Sequence, residues 1–242
     1  MAILENLYYA ILSIAGVFGG LLITGFLLRI IRDIFSKRIS SSLDTITAII
    51  GVPIHEIGHL WMAYLFGCEV KEVKLLDFTS KPRVSGYVLY SHNRLNLLHL
   101  LGHVFIATGP IILATVLTWG LVYLNVNSWV APVCALEMFS ASYDTAGFWL
   151  SIMFILVIAP YATLSREDEN NLAKSLIVVT LIVSVVFLIV NLFGEINPIL
   201  ITHILQFNML FFVYPLILVP ASLITHLIMF VLSLMFRRKG GN

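Results

Sequence analysis

The 242-residue sequence predicts an all-α polytopic membrane protein of about six transmembrane helices, with a membrane-surface β-hairpin between the second and third. Three observations carry this. Hydrophobic residues make up 60% of the chain and charged residues 11%, less than half the charge of an average soluble domain. The apolar residues collect in runs long enough to cross a hydrocarbon core, which takes about 20 residues of helix. One short stretch between the second and third runs instead alternates with the period of a strand.

The runs lie at roughly 7–31, 46–66, 95–125, 146–163, 172–193 and 207–236. The first, Leu7 to Ile31, is too long for a signal h-region and lacks a basic n-region and a small-residue cleavage site, so it is expected to stay as a span. The third and last are long enough to tilt or kink, and Pro215 and Pro220 predict a kink or break in the last. Residues 196–206 read as a short interfacial piece. Between the second and third runs, Val70, Val73 and Leu75 are interleaved with charged residues, turn chemistry follows at Thr79 to Arg83, and Val84 to Tyr90 reads as a returning strand. No repeat or low-complexity tract interrupts the chain, which reads as a single integral-membrane domain over 1–242 with its core at about 45–193.

Charge and cysteine usage exclude several classes. A net charge of +1 offers no nucleic-acid-binding surface, and Cys68 and Cys134 have neither disulfide-framework nor thiolate-site spacing. Alternating spans would place Arg29, Arg32, Lys37 and Arg38 on one side and the other ten basic residues on the opposite side. Ten against four predicts a multi-pass protein of the cell membrane with both termini cytoplasmic and the second helix running inward.

That second helix carries His55-Glu56-Ile57-Gly58-His59. On a helix the two histidines lie one turn apart on one face, a spacing that suits two ligands of one tetrahedral zinc. Glu56 follows the first histidine, where a carboxylate can take a proton from an activated water. The alternative is a structural histidine pair with Glu56 in a salt bridge. Against it, an ionisable side chain in a span is costly and usually functional. Gly58 also removes bulk beside the metal face and lets another backbone approach.

Three ordered features resemble the site-2 protease family of intramembrane zinc metalloproteases. His55 to His59 resembles the family's HExGH. Ser85-Gly86-Tyr87-Val88 resembles the glycine-tyrosine-valine strand of the hairpin that follows, and Gly109-Pro110-Ile111-Ile112-Leu113-Ala114 resembles its Gly-Pro helix motif. Together they cover about residues 45–120. The chain departs from the family in lacking the Asn of the Gly-Pro motif, the later Leu-Asp-Gly motif and a PDZ-like segment. The resemblance therefore implies a minimal or divergent member.

The resemblance also implies a third metal ligand near the start of a later span. Ala159 to Asp168 occupies the equivalent place, which makes Asp168 the candidate, although Ser165 to Asn170 also reads as a solvated loop with Ser165 capping the next helix. Asp144, just before an apolar helix, is the alternative ligand. His99 and His103, four apart at the start of the third span, are further candidates, His103 above all. His92 lies in a loop, His203 and His226 read as structural, and Glu137 as a loop residue.

The implied activity is hydrolysis of a peptide bond in or near a transmembrane segment of a membrane-protein substrate. Zn2+ would activate the water, Glu56 would be the general base, His55, His59 and Asp168 would be the ligands, and Gly86, Tyr87 and Val88 would bind the unwound substrate. The competing classes are a membrane metal-ion transporter or inactive metal-binding protein, and an iron oxygenase. Seven scattered histidines are few for the latter. The partners expected are the substrate and the lipid bilayer, with no nucleic acid.

Overall fold

The computed structural model describes residues 2–79, 84–91, 96–126, 145–170, 172, 180–181, 185, 189 and 198–239. These residues are mostly helical, with one two-stranded sheet. In chain order the elements are α1 (Ala2–Ser36), α2 (Ser41–Leu65), β1 (Glu69–Asp77), β2 (Ser85–Ser91), α3 (Leu97–Val126), α4 (Ala146–Ile158), a 3-10 turn (Ala159–Tyr161), a helical turn over 166–170, and α5 (Pro198–Lys239). Among the described residues, Ser41–Leu65, Leu101–Asn125 and Tyr214–Phe236 are long and apolar enough to cross a membrane, and Ala146–Tyr161 is a shorter apolar helix. The expected span at 172–193 lies largely outside the described residues.

α2 ends through backbone geometry that only glycine adopts easily. Gly67 has φ +68°, its N–H bonds to Tyr64 O, and Cys68 N reaches back to Ala63 O, the paired bonds of a Schellman cap. The chain then enters the hairpin. β1 and β2 pair antiparallel with Glu69 opposite Ser91, Val73 opposite Val88 and Asp77 opposite Ser85, as the alternation between 70 and 90 predicts. Both strands pack against α2.

α2 crosses α3 where two glycines face each other. A Cβ on Gly58 would lie 2.7 Å from the backbone of Gly109 and Pro110, and one on Gly109 would lie 2.4 Å from Gly58 O. Seven residues earlier on the same face of α3, Gly102 receives the Phe66 side chain. Close backbone approach at small residues is how helices associate where water supplies no driving force. The outer faces agree with a lipid setting: Ile46, Ile49, Ile50 and Ile57 on α2, and Ile224, Leu227, Ile228 and Val231 on α5, are exposed.

α4 starts at Thr145, whose Oγ1 accepts from Phe148 N at 3.2 Å. Beyond the 3-10 turn the helix unwinds, yet Ala162, Thr163 and Leu164 stay buried. Irregular backbone at membrane depth is tolerated where protein surrounds it. Leu164 joins a core with Phe18, Leu21, Met62, Val104 and Ile111, while Ala159 and Ala162 join a second core with Leu28, Ala114, Ile155 and Leu218. The unwound segment is thus wedged between the two cores.

Two expectations need correction. α5 is helical throughout its 42 residues, through Pro215 and Pro220 and including the stretch read as a separate interfacial piece from Pro198 onward. At 1.5 Å per residue it is about 63 Å long, about twice a hydrocarbon core. Prolines persist in such helices because neighbouring elements satisfy the freed backbone groups. The second correction concerns sidedness. Ser40 N donates to Ser233 Oγ at 2.9 Å, the Phe35 ring meets His226 and Phe230, and Leu28 packs with Leu218 and Ala221. The C-terminal part of α5 therefore runs parallel to α1 and emerges where α1 turns into α2. Arg237, Arg238 and Lys239 therefore follow the helix end that lies beside Arg29 to Arg38, not the opposite side that strict alternation gives them, so the ten-against-four count does not hold. Among the described residues, the start of α1 and the end of α5 lie toward opposite ends of α1. Packing between α1 and α5 overrides strict alternation.

Candidate metal centre

The 3.6-residue period of α2 puts His55 and His59 on one face, and their rings meet edge-on with centroids 4.9 Å apart. The Nδ1 atom of each ring lies against a backbone carbonyl: His55 Nδ1 is 2.6 Å from Tyr161 O, and His59 Nδ1 is 2.7 Å from Ile106 O. A carbonyl can only accept, so both Nδ1 atoms carry the proton and donate. Both Nε2 lone pairs then face one point, 3.2 Å apart. Two tetrahedral zinc ligands about 2.0–2.1 Å from the ion would be about 3.3 Å apart, so the pair fits a shared cation.

Both carbonyls are available for physical reasons. Ile106 stands four residues before Pro110, whose ring nitrogen has no hydrogen to give it, so the helix leaves this acceptor free for His59. Tyr161 ends the 3-10 turn, and the unwound residues after it offer no helical donor to its carbonyl. A ring at Gly51 completes the fit: a Cβ there would collide with the Tyr161 ring at 1.9 Å. The Tyr161 hydroxyl donates to Asp44 O at 3.0 Å and lies 2.9 Å from Thr47 Oγ1, tying the turn along α2.

Asp168 arrives from the helical turn over 166–170. Ser165 Oγ accepts from Asp168 N at 3.0 Å, and Asp168 Oδ2 accepts from Ser165 N at 2.9 Å, a reciprocal capping box. The same Oδ2 is 3.8 Å from His59 Nε2. The predicted cap, Ser165, and the predicted ligand, Asp168, therefore share one turn. His55, His59 and Asp168 offer ligand atoms all within 4.8 Å of one another, the one such cluster among the described residues. Asp168 stands somewhat farther off than a bound tetrahedral geometry requires.

Glu56 points away from lipid and is buried. Gly86 makes room for it, since a Cβ on Gly86 would lie 2.6 Å from Glu56 Cγ. A cavity of about 680 Å3 opens between these parts. α2 lines it with His55, Glu56 and His59, β2 with Gly86 to Tyr90, α3 with His103, and the capped turn with Ser165, Glu167 and Asp168. Burial, then the charges of Asp168, Cys68 and Glu167, push the Tyr90 phenol up to about 12, so it faces the cavity as an O–H donor. No protein-family model, no curated protein and no solved structure matches this chain. The likeness to the site-2 proteases therefore rests on the motifs themselves.

The predicted residues fall into three groups. His55, Glu56, His59 and Asp168 come together, with Gly86, Tyr87 and Val88 on the wall of the same cavity. His103 lines the cavity but lies outside the three-residue cluster, and His226 is a packing residue, 2.8 Å from Ser222 O. Asp144, His92, Glu137 and Cys134 lie outside the described residues. Sequence reasoning missed the Tyr161 and Ile106 carbonyls and Tyr90. Pro110 four residues after Ile106 was the available signal for one of them.

Proposed function

We propose that this protein is an intramembrane zinc metalloprotease of the site-2 type, cutting a peptide bond in or near a transmembrane segment of a membrane-protein substrate. The observation that carries this reading is the pair of Nε2 atoms 3.2 Å apart, each ring pinned by a backbone carbonyl, beside the buried Glu56. A structural histidine pair does not need two fixed lone pairs converging on one point. Nor does a span readily keep a carboxylate without use, at a cost of about 2.5–3.5 kcal/mol near its centre.

His55, His59 and Asp168 would hold the ion. When bound, zinc lowers the pKa of a water molecule and polarises the scissile carbonyl. Glu56 would take the proton of the attacking water and deliver it to the leaving amine. The cavity beside Glu56 would admit the water at this depth. Among the described residues β2 pairs with β1 alone, and its residues Gly86 to Tyr90 line the cavity. An unwound stretch of substrate would add to this strand as a further β-strand, exposing its carbonyls to the ion. In this reading the protein sits in the cell membrane.

The test is Glu56→Gln in purified protein, co-reconstituted with a panel of single-span membrane proteins. The expected result is wild-type zinc content with cleavage abolished. Cleavage that survives the substitution would sink the assigned role. Metal flux across the liposome membrane, unchanged by the substitution, would move the protein to the transporters.

A further inference from the structure

The segment that brings two of the metal-site contacts is unwound over 162–165 and cannot hold its own shape through helical hydrogen bonds. One face of α1 holds it instead. Gly25, Arg29 and Arg32 are spaced four and three apart and so share that face. A Cβ on Gly25 would lie 2.7 Å from the Leu164 side chain, so Leu164 seats directly on the α1 backbone. Arg29 Nη1 forms an ion pair with Glu169 Oε2, both groups about three-quarters buried. The Arg32 guanidinium lies 5.3 Å from the centroid of the Tyr161 ring. These three contacts bracket Asp168 on both sides, and they bracket the Tyr161 carbonyl that orients His55.

We infer that α1 is a splint for the metal centre, with Arg29 and Glu169 as positioning residues that hold Asp168 within reach of the ion bound by His55 and His59. The inference rests on the metal-site reading above. Its physical basis is that Asp168 stands 3.8 Å from His59 Nε2, close enough to serve only if its backbone is held. Its own capping box with Ser165 fixes the turn locally but does not fix the turn against α2. The Arg29–Glu169 pair supplies that tertiary anchor, one residue from the ligand. Partly buried ion pairs add little net stability, but they fix geometry and are costly to break one side at a time.

The experiment measures Co2+ affinity and the ligand-field spectrum of the full chain in detergent. Arg29→Gln with Glu169→Gln removes one charge of each sign, so the net charge near the ion is unchanged and only position is altered. The expected outcome is about tenfold or more weaker Co2+ binding, the range seen for groups that orient ligands, with a changed spectrum. The charge-swapped pair, Arg29→Glu with Glu169→Arg, is expected to restore affinity to within about threefold of wild type, since it re-forms the same contact with its polarity reversed. In an Asp168→Asn background the double glutamine variant is expected to add no further loss. Wild-type affinity and spectrum in the double glutamine variant would overturn the splint while leaving the metal site standing. Loss of affinity that the swap does not restore, or that persists in the Asp168→Asn background, would also overturn it. A wild-type chain that binds no Co2+ would overturn the metal-site reading and the splint together.

Discussion

The backbone carbonyl of Ile106 accepts a hydrogen bond from His59 Nδ1 at 2.7 Å, and Pro110, four residues later, is what leaves that carbonyl free. A proline in the middle of an apolar helix thus becomes part of the candidate metal centre on the neighbouring helix. The price in helix stability, about 3 kcal/mol in an ordinary helix interior, is offset by an acceptor placed at a fixed depth.

Pro110→Ala restores an N–H to α3 and sets the helix in competition with His59 for the Ile106 carbonyl. Zinc affinity is expected to fall about tenfold, as for other groups that orient a ligand, with helix content unchanged. Chelator competition on purified protein checks this. Unaltered affinity would mean that the carbonyl serves both donors.

Gly58→Ala is expected to destabilise the protein by about 1–3 kcal/mol, because the new methyl meets the backbone of Gly109 and Pro110 at 2.7 Å and neither helix can yield locally. Gly120→Ala is the control: nothing lies within 4 Å of its Cβ position, and alanine is the better helix former. Thermal unfolding in detergent should separate the two by direction, down for Gly58 and level or up for Gly120.

Asp168 caps its turn and, in the proposed reading, serves as a metal ligand; two substitutions separate the two roles. Asp168→Asn keeps an oxygen to accept from Ser165 N but removes the anionic ligand; Asp168→Ala removes both. Both are expected to lose most bound zinc, while only the alanine variant loses about 1 kcal/mol of cap stability as well. Metal content beside thermal midpoint decides it. Zinc retained by both variants would transfer the third-ligand assignment to another side chain.

Tyr90 provides a pH signature. In chelator-treated protein its phenol is expected to ionise near 12, above the ordinary 10. Because the folded protein then holds this proton more tightly than the unfolded chain does, stability from this group is present below pH 10 and lost as pH rises toward 12. Ultraviolet titration of phenolate should show a component near 12 that disappears in Tyr90→Phe. Asp168→Asn should move the same titration downward, since a neighbouring negative charge is one of its causes.

Much of the architecture was legible because apolar runs and strand alternation are local signals. The helices at 41–65, 97–126 and 146–158 and the hairpin at 69–91 follow the predicted pattern closely. His55, Glu56 and His59 were legible because four residues is one helical turn. The need for glycine at position 58 was legible too, although the Gly109 backbone that fills the space was not. Of the kink or break expected at Pro215 and Pro220, the break does not occur, since in this setting neighbouring helices satisfy the freed groups. The sidedness of Arg237 to Lys239 was misread because alternation is a rule about the chain, and α5 packs beside α1 by contact.

By itself the amino-acid order determined the membrane class, the hairpin, and the two histidines and glutamate of one helix turn, all properties of residues within a few positions of one another. Only the tertiary structure decided which distant groups meet at the candidate centre: Asp168 at 3.8 Å from His59, the carbonyls of Tyr161 and Ile106 that accept from both rings, and the Arg29–Glu169 pair beside Asp168. Those partners lie roughly 50 to 140 positions from the groups they meet. No sequence period spans that distance, because it is set by helix crossings at glycines and by the packing of an unwound segment between two cores.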